Sequence, residues 1–267
     1  MGTETFAEGL SLHAGGGAFI TSAAFSALGW NVALLTTLPA APFTEIVAND
    51  IAKFGIDTQL CAEAAHGMSP QITVAIADQH DRAFLTHKSG SALPDSAVFT
   101  KAFGHLHIGE LRSLVEHPSL IEKARNAGMT ISVDCGWDEE ILSQGAEMTK
   151  ILAQVDVFLP NETEYDRLVQ SGLSQETCPL IVVKCGASGA RALNAREWVS
   201  EPTDAVTVVD STGAGDAFNG GFLSSWLRGA AISESLISGN RCGRSSVTHA
   251  GGTDGILAMQ NERLRAS

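Results

Sequence analysis

The most informative part of the sequence is the stretch Val206-Thr-Val-Val-Asp210-Ser-Thr-Gly213-Ala-Gly215-Asp216-Ala-Phe-Asn-Gly220. Its opening residues, 206–209, are typical of a β-strand, and the glycine turn that follows is predicted to begin a helix over residues 213–227. A helix that begins in this way presents main-chain N–H groups and the positive end of its dipole, which together bind anions. The stretch therefore predicts a phosphate site at the amides of residues 214–216, where glycine allows close approach to the main chain.

Asp216 is a carboxylate inside this predicted anion site, where it would repel a phosphate group. In that place it could take the proton from an alcohol as the alcohol attacks a phosphoryl group. The alternative is that Asp216 only complements the helix dipole and that the glycines only form a turn. The sequence excludes two other nucleotide motifs, because Gly-x-x-x-x-Gly-Lys-Ser/Thr is absent and Phe218 replaces the third glycine of Gly-x-Gly-x-x-Gly.

Composition narrows the class of protein further. The chain has 267 residues, 44% hydrophobic and 18% charged, which argues against intrinsic disorder. Its 17 Lys and Arg against 30 Asp and Glu give a formal net charge of −13, which argues against nucleic acid or an anionic membrane as partner. No run approaches the roughly 18 apolar residues that span a bilayer. Five scattered cysteines without a Cys-x-x-Cys pair favour a reducing cytoplasm over a disulfide framework.

Short apolar strands alternate with amphipathic helices, regularly so from about residue 104. This alternation predicts an α/β fold with a mostly parallel sheet covered by helices on both faces, and ligands of such sheets bind at the carboxyl ends of the strands. The predicted strands are 31–36, 105–108, 130–134, 155–159, 180–184, 191–199 and 206–209, and the predicted helices are 18–28, 43–54, 119–127, 139–154, 162–170, 213–227 and 233–248.

No repeat or linker divides the chain, so we expect one domain over residues 1–267. Segments 5–14 and 68–90 interrupt the alternation and are predicted to form a small β lid. Within the second segment, runs 71–78 and 82–87 predict a hairpin around the polar turn 79–81.

Three weaker motifs each allow two interpretations. Asn161 and Glu164 have the spacing of a helix capping box, which the spacing alone favours, or they could organise Mg²⁺ and its waters. Lys184 and the glycine loop after it could hold nucleotide phosphates or form a surface turn. The run Gly15-Gly16-Gly17 suits close approach of a polyhydroxy ligand or tight packing of a helix on the sheet.

Taken together, these segments resemble the ribokinase-like (PfkB) family of carbohydrate and nucleoside kinases. The most specific match is the stretch from Asp210 to Gly220, which is similar to the family's C-terminal signature. The glycine run at 15–17, the Asn161-Glu-Thr-Glu164 segment and Lys184-Cys-Gly186 follow in the family's order and spacing. The resemblance covers essentially the whole chain, so the structural alternatives given above lose most of their weight.

The resemblance implies a ribokinase-like three-layer sandwich with a nine-stranded type of core, a small β lid, and transfer of the γ-phosphoryl group of Mg·ATP to a hydroxymethyl group. It implies the following residue roles. The catalytic base would be Asp216, with an anion hole at Gly213, Ala214 and Gly215. Asn161 and Glu164 would form the motif linked to Mg²⁺ and phosphate. The nucleotide loop would contain Lys184, Gly186 and Gly189, and Asn240 would be a residue on the ATP side. Sugar contacts would be Gly15, Gly16, Gly17 and Glu110. Some relatives hold a monovalent cation such as K⁺ where this chain has Asp210, Thr212, Ser246, His249, Gly251 and Gly255.

Two departures from the family pattern fall on the acceptor side. Members usually begin with a buried strand followed by Gly-x-x-x-x-Asp, whose Asp binds substrate hydroxyls, and here Met1 leads directly into the lid-like segment. We therefore expect either that the natural start lies upstream of Met1 or that this chain departs from the family in lacking the strand. In addition, Ile20 stands where the glycine-rich helix usually presents an Asn to the sugar. The nucleotide side matches throughout, so the sequence predicts phosphoryl transfer without indicating the acceptor.

We expect an ATP-dependent kinase for a small sugar or sugar-like alcohol. The alternatives are an adenosine-like nucleoside kinase on the same fold and a catalytically weak relative that binds nucleotide or sugar. Many relatives pair through the lid, so a homodimer is a further expectation.

Overall fold

A six-stranded sheet forms the centre of the structure, a computed structural model that describes residues 9–65, 67–77, 82–94, 99 and 103–266. In chain order the elements are α1 (Gly17–Ala27), β1 (Thr37–Leu38), α2 (Thr44–Ala52), β2 (Ala62–Glu63), β3 (Ile72–Ala77), β4 (Arg82–His87), β5 (His105–Ile108), α3 (Leu111–Glu116), α4 (Ser119–Asn126), β6 (Thr130–Asp134), α5 (Glu139–Leu142), α6 (Gly145–Leu152), β7 (Val157–Leu159), α7 (Glu162–Gln170), β8 (Leu180–Lys184), β9 (Ala190–Asn194), β10 (Glu197–Glu201), α8 (Ala214–Trp226), α9 (Ile232–Val247) and α10 (Asp254–Ala266).

The central sheet has the order β10-β9-β8-β7-β6-β5. Strands β5 to β8 are parallel, whereas β9 and β10 add an antiparallel hairpin at the far edge. Parallel strands are covered on both faces and are therefore mostly apolar, as β7 and the first four residues of β8 are. The predicted strands 105–108, 130–134 and 180–184 and the predicted helix 162–170 have the same bounds in the structure.

Helices cover both faces, which completes the predicted three-layer α/β fold. Successive side chains of a strand point to opposite faces. Phe158 accordingly packs with Leu142 and Leu168 on the α5–α7 side. Its neighbour Val157 packs with Phe222 of α8 on the other side.

Four segments differ from the prediction, each for a local reason. Residues 206–209 are irregular rather than a strand, and Val209 is 62% exposed, because these β-branched residues lie beside no strand of the sheet. Residues 31–36 form only the isolated bridge between Ala33 and Asp57. The predicted helix 139–154 is two helices, α5 and α6. The extended region 191–199 is the β9–β10 hairpin, which turns at residues 195 and 196 with positive φ.

Among the described residues, β5 is the edge of the central sheet, which has six strands rather than the nine that the resemblance implies. Beyond β5 lies a cavity of about 2370 Å³, bordered on its other side by residues 31–36. The cavity continues to the start of α8 and contains Asp216 in its wall. The end of β5, with Gly109 and Glu110 after it, therefore opens onto this cavity.

The predicted hairpin is confirmed as β3 and β4, in which Val74 pairs with Leu85. Residues 72–75 and Phe84 line the cavity, so the hairpin lies over it as a lid would. The predicted turn 79–81 lies outside the described residues, as do residues 5–8 of the other lid segment, and residues 9–14 are irregular. Within the described ranges, every helix is too short or too polar to cross a bilayer.

Candidate active site

The start of α8 is a sharp turn that requires glycine. Gly213 is the N-cap residue and has a left-handed backbone with φ 72°. A Cβ atom there would lie 2.9 Å from Ile20 Cδ1 and 3.1 Å from Gly252 Cα. The Asp210 carboxylate holds the turn in place, because Oδ1 accepts a hydrogen bond from the Thr212 amide at 2.8 Å and Oδ2 accepts one from the Gly251 amide at 3.0 Å. The turn thus presents the first main-chain amides of α8 in a fixed direction.

Asp216 lies where three elements meet. A Cβ atom on Gly17, the first residue of α1, would be 2.7 Å from Asp216 Oδ1 and 2.9 Å from the carbonyl oxygen of Gly109, just after β5. The Thr21 hydroxyl donates to the main-chain carbonyl of Asp216 at 3.1 Å. The predicted catalytic carboxylate therefore rests directly on the glycine run that was predicted to contact sugar.

A buried charge cluster lies behind Asp216. The Lys184 ammonium, at the end of β8, donates to Asp134 Oδ1 and Oδ2 at 2.9 and 2.7 Å and to Asn219 Oδ1 at 3.2 Å. The Asn219 amide donates in turn to Asp134 Oδ2 at 2.6 Å. Asp134 ends β6 and Asn219 belongs to α8, so the cluster joins the sheet to the helix. A Cβ atom on Gly215 would lie 3.4 Å from Lys184 Nζ, which puts the ammonium beside the predicted anion hole.

The electrostatics of this cluster alter the acidity of its members. Burial raises the pKa of Asp216 to about 7, with Asp134 and Glu164 raising it further and Lys184 opposing them. Burial and Asp134 likewise raise the pKa of Glu164. Burial alone would lower the pKa of Lys184, but the attraction of Asp134 and Glu164 outweighs burial and raises it. A carboxyl with a pKa near neutrality is suited to exchange a proton with a hydroxyl group.

Asn161 and Glu164 form the capping box that the spacing favours. Asn161 Oδ1 accepts from the Glu164 amide at 2.9 Å, and Glu164 Oε2 accepts from the Asn161 amide at 2.8 Å. Asn161 also forms a parallel bridge with Lys184, so the ends of β7 and β8 are adjacent. The cap places the Glu164 carboxylate, which is 5% exposed, next to the buried charge cluster.

The predicted nucleotide loop is a tight turn between β8 and β9. The Cys185 amide donates to the Gly189 carbonyl at 2.8 Å, and both Gly186 and Gly189 have positive φ. A Cβ atom on Gly189 would lie 2.8 Å from Pro202 Cα. The Asn240 amide donates to the carbonyl oxygens of residues 201 and 202 at 3.0 and 3.2 Å, so this side chain supports the loop from α9.

The predicted acceptor residues share one cavity with Asp216. Gly15, Gly16, Gly17 and Glu110 all line it. Burial raises the pKa of Glu110, whose extended backbone precedes α3. Ile20, which replaces the expected Asn, is 4% exposed and packs beneath the Gly213 turn.

The residues predicted to hold a monovalent cation come together around the Asp210 loop and the segment after α9. Gly251 donates to Asp210, as described above, while His249 Nδ1 lies 3.0 Å from Thr248 Oγ1. Ser246 Oγ is buried without a hydrogen-bond partner, and a Cβ atom on Gly255 would lie 2.9 Å from Ser246 Cα. Among the residues that the structure describes, no three His, Cys, Asp or Glu side chains form a metal cluster.

The family model for "pfkB family carbohydrate kinase" matches residues 6–259, nearly the whole chain. The chain belongs to the pfkB family of carbohydrate kinases.

Known proteins place this pfkB-family kinase among sugar kinases. It is 33% identical over 117 residues to an uncharacterized sugar kinase of Archaeoglobus fulgidus, a match covering 41% of this chain and 47% of that protein. It is 27% identical over 254 residues to a fructokinase of Vibrio alginolyticus, which covers 84% of this chain and 81% of the relative.

Three solved structures share the fold. Ribokinase from Cryptococcus neoformans with ADP has a TM-score of 0.81 at 18% identity over 98% of this chain and 92% of that one. Fructokinase from Vibrio cholerae with fructose, ADP and calcium has a TM-score of 0.76 at 23% identity over 92% and 90%. Nucleoside kinase from Burkholderia thailandensis with inosine has a TM-score of 0.79 at 19% identity over 94% and 87%. These likenesses confirm the ribokinase-like fold.

Sequence analysis of this pfkB-family kinase missed two members of the buried cluster. Asp134 and Asn219 lie 50 and 35 residues from Lys184, so no local motif links them. A signal was present, however, because Asp134 is a charged residue at the end of an apolar parallel strand, where ligands of such sheets bind.

Proposed function

We propose that this kinase transfers the γ-phosphoryl group of ATP to a hydroxymethyl group of a small sugar or sugar-like alcohol. The observation that carries the proposal is the position of Asp216, whose carboxylate lies at the start of α8 and in the wall of the cavity that Gly15–Gly17 also line. Asp216 and the Gly213 turn thus border the same cavity as the predicted acceptor residues.

In the proposed mechanism Asp216 takes the proton of the acceptor hydroxyl. The hydroxyl oxygen forms a bond to the γ-phosphorus while the bond from that phosphorus to the β–γ bridging oxygen breaks, and ADP leaves with the electron pair. The amides of Gly213, Ala214 and Gly215 would donate to the transferred phosphoryl group, whose charge spreads over its oxygens. The raised pKa of Asp216 lets it hold the proton once the transfer is complete.

The residues present fit a divalent cation. Asn161 and Glu164 supply amide and carboxylate oxygens next to the buried cluster and beside a predicted phosphate site. Oxygen ligands of this kind suit Mg²⁺. Asn161 and Glu164 are the residues that would hold Mg²⁺ with its waters, and the bound ion would neutralise charge on the phosphate oxygens. K⁺ at the Asp210 loop remains a prediction for the residues given above.

Lys184, Gly186, Gly189 and Asn240 would form the nucleotide side, and Gly15–Gly17 with Glu110 the acceptor side. A nucleoside acceptor is the second candidate, because the nucleoside kinase described above shares the fold and this cavity is large enough for a base as well as a sugar.

An acceptor panel tests the proposal. ADP release is measured with Mg·ATP and pentoses, hexoses, keto-deoxy sugar acids and nucleosides, for the wild type, Asp216→Asn and a matched exposed control, Asp166→Asn. We expect turnover on a sugar, a loss of at least about 10²-fold in Asp216→Asn, and no change in the control. ATP binding without turnover on any acceptor would instead identify a binding relative, and turnover on nucleosides alone would identify the second candidate.

Pairing of two chains through the β3–β4 hairpin is a further part of the proposal. Val74, Ile76 and Leu85 are between 48% and 70% exposed on the hairpin, an apolar surface that a second copy could cover. Light scattering of the purified protein tests it, with Leu85→Lys expected to favour the monomer. A cytoplasmic location is supported by five cysteines that are all unpaired.

A further inference from the structure

Lys184 is bound tightly by protein groups. Three acceptor oxygens lie within 3.2 Å of Lys184 Nζ, two from the Asp134 carboxylate and one from Asn219. The Asn219 amide closes the arrangement by donating to Asp134. These contacts hold the Lys184 ammonium in a fixed position between the sheet and α8.

This arrangement, which we name the Asp134 clamp (Asp134, Lys184 and Asn219), ties the catalytic helix to the sheet. Asp134 ends β6, Lys184 ends β8, and Asn219 lies three residues after Asp216 in α8, hence on the same side of that helix. The clamp side chains are only 0–11% exposed, so solvent does little to weaken the contacts.

We propose that Asp134 is a positioning residue, which through Lys184 and Asn219 fixes the first turn of α8 against the sheet and keeps a cation beside the Asp216 carboxylate. This inference rests on the proposed role of Asp216 as the base. Asp134 itself acts through Lys184 and Asn219 on the position and charge of Asp216.

The charges around Asp216 show what the clamp controls. Asp134 from β6 and Glu164 from α7 disfavour ionisation of Asp216, whereas Lys184 from β8 favours it. Gly17 of α1, which lies beside the carboxylate, carries no charge. The His107 side chain on β5 is held neutral by burial, which lowers its pKa to about 4. Removing the charge of Lys184 should therefore raise the pKa of Asp216, and removing the charge of Asp134 should lower it.

The test compares the pH dependence of kcat/KM in three variants with the best acceptor of the panel. We expect kcat/KM to rise with pH as Asp216 ionises, and this rise is the acidic limb of the pH profile. In Lys184→Met the loss of the cation should move the acidic limb to a pH higher by about one unit or more. In Asp134→Asn the loss of the anion should move it to a lower pH by a similar amount. Asn219→Leu removes the tie to α8 without changing charge, so we expect a lower kcat with little shift of the limb.

A matched control and a double variant separate positioning from general stability. Asp156 is also a carboxylate that pairs with a cation, Arg125 at 2.8 Å, and accepts a main-chain amide of β6, but it lies at the opposite end of the sheet. Asp156→Asn should keep the wild-type pH profile even if it unfolds more easily. Asp134→Asn alone leaves a buried ammonium unpaired, so the double variant Asp134→Asn with Lys184→Met provides an uncharged clamp. We expect this double variant to fold and to turn over more slowly than the wild type. The acidic limb of its pH profile should stay close to the wild-type position.

A second readout does not depend on turnover. Carbon NMR of ¹³C-carboxyl-aspartate protein follows the titration of Asp216, assigned by its loss in Asp216→Asn, and its midpoint should rise in Lys184→Met and fall in Asp134→Asn. If no acceptor is phosphorylated, the proposed function fails while this titration still decides the inference. Unmoved midpoints, or kinetic losses that only follow the folded fraction with an unchanged pH profile, would overturn it.

Discussion

The contact between Gly17 and Asp216 gives the sharpest prediction about the base. Gly17→Ala adds a methyl group whose carbon would lie 2.7 Å from Asp216 Oδ1 and 2.9 Å from the Gly109 carbonyl oxygen. Ordinary carbon–oxygen contacts are longer by roughly half an ångström or more, since van der Waals separations are about 3.5 Å. Either the carboxylate rotates away or the start of α1 withdraws from β5.

The expected effect falls on catalysis more than on stability. Displacement of a reacting group by about 1 Å costs on the order of 10²-fold in rate. The Gly17 backbone is not in the left-handed region, and an alanine inside a helix gains up to about 1 kcal/mol over glycine, which offsets part of the steric cost. We therefore expect kcat/KM to fall by about 10²-fold while the midpoint of thermal unfolding changes by only a few degrees.

The assay pairs this variant with Gly104→Ala, at the residue that precedes β5. No atom lies within 4 Å of a Cβ built on Gly104, so that substitution should leave both kcat/KM and the unfolding midpoint close to wild type. ADP release with the best acceptor and circular dichroism on the same samples give the two quantities. Full activity in a folded Gly17→Ala protein would refute the placement of the base, and equal losses in both variants would refute the steric argument.

Three other predictions concern pH and packing. The activity of the wild type should rise with pH through about 7, because burial raises the pKa of Asp216 and only the ionised carboxylate accepts a proton; a pH–rate profile flat from 5 to 9 would contradict this. Burial lowers the pKa of His107 to about 4, so between pH 6.5 and 4 the unfolded chain binds a proton that the folded chain does not. The free energy of unfolding therefore falls as the pH falls through this range. His107→Gln should reduce that fall between pH 7 and pH 5 by about 2 kcal/mol, measured by urea unfolding at the two pH values. Gly145→Ala should lower the free energy of unfolding by about 1–3 kcal/mol, because its methyl group would lie 2.7 Å from the amide nitrogen of residue 173, whereas Gly104→Ala meets no atom within 4 Å and serves as the control.

Local signals predicted the regular part of the fold well. Strand 180–184 was readable because its first four residues form the unbroken apolar run that is typical of a parallel strand buried on both faces. The same signal was wrong at residues 206–209, because β-branched residues favour a strand only where a neighbouring strand is available to pair with them. Whether a segment pairs as a strand depends on its neighbours in the folded sheet, which the residues of the segment do not identify.

The candidate site divides in the same way. Helix starts carry their signals within a few residues, so the Gly213 turn and the Asn161–Glu164 cap were predicted from spacing alone. The Asp134 clamp was missed because its members are separated by 35 to 85 residues and meet only when the strand ends and α8 come together. Long-range ion pairs of this kind require the fold before they can be recognised.

The position of Asp216 in the wall of an open cavity raises a question of chemical selectivity. Water can enter this cavity and reach the carboxylate when no acceptor is bound. Water is itself a hydroxyl nucleophile, and a base that can deprotonate a sugar alcohol could also promote hydrolysis of ATP. The β3–β4 hairpin, with residues 72–75 and Phe84 along the cavity, is the surface that could displace this water when an acceptor binds. The ratio of sugar phosphate formed to ATP consumed therefore measures how well the hairpin keeps the reaction on its acceptor.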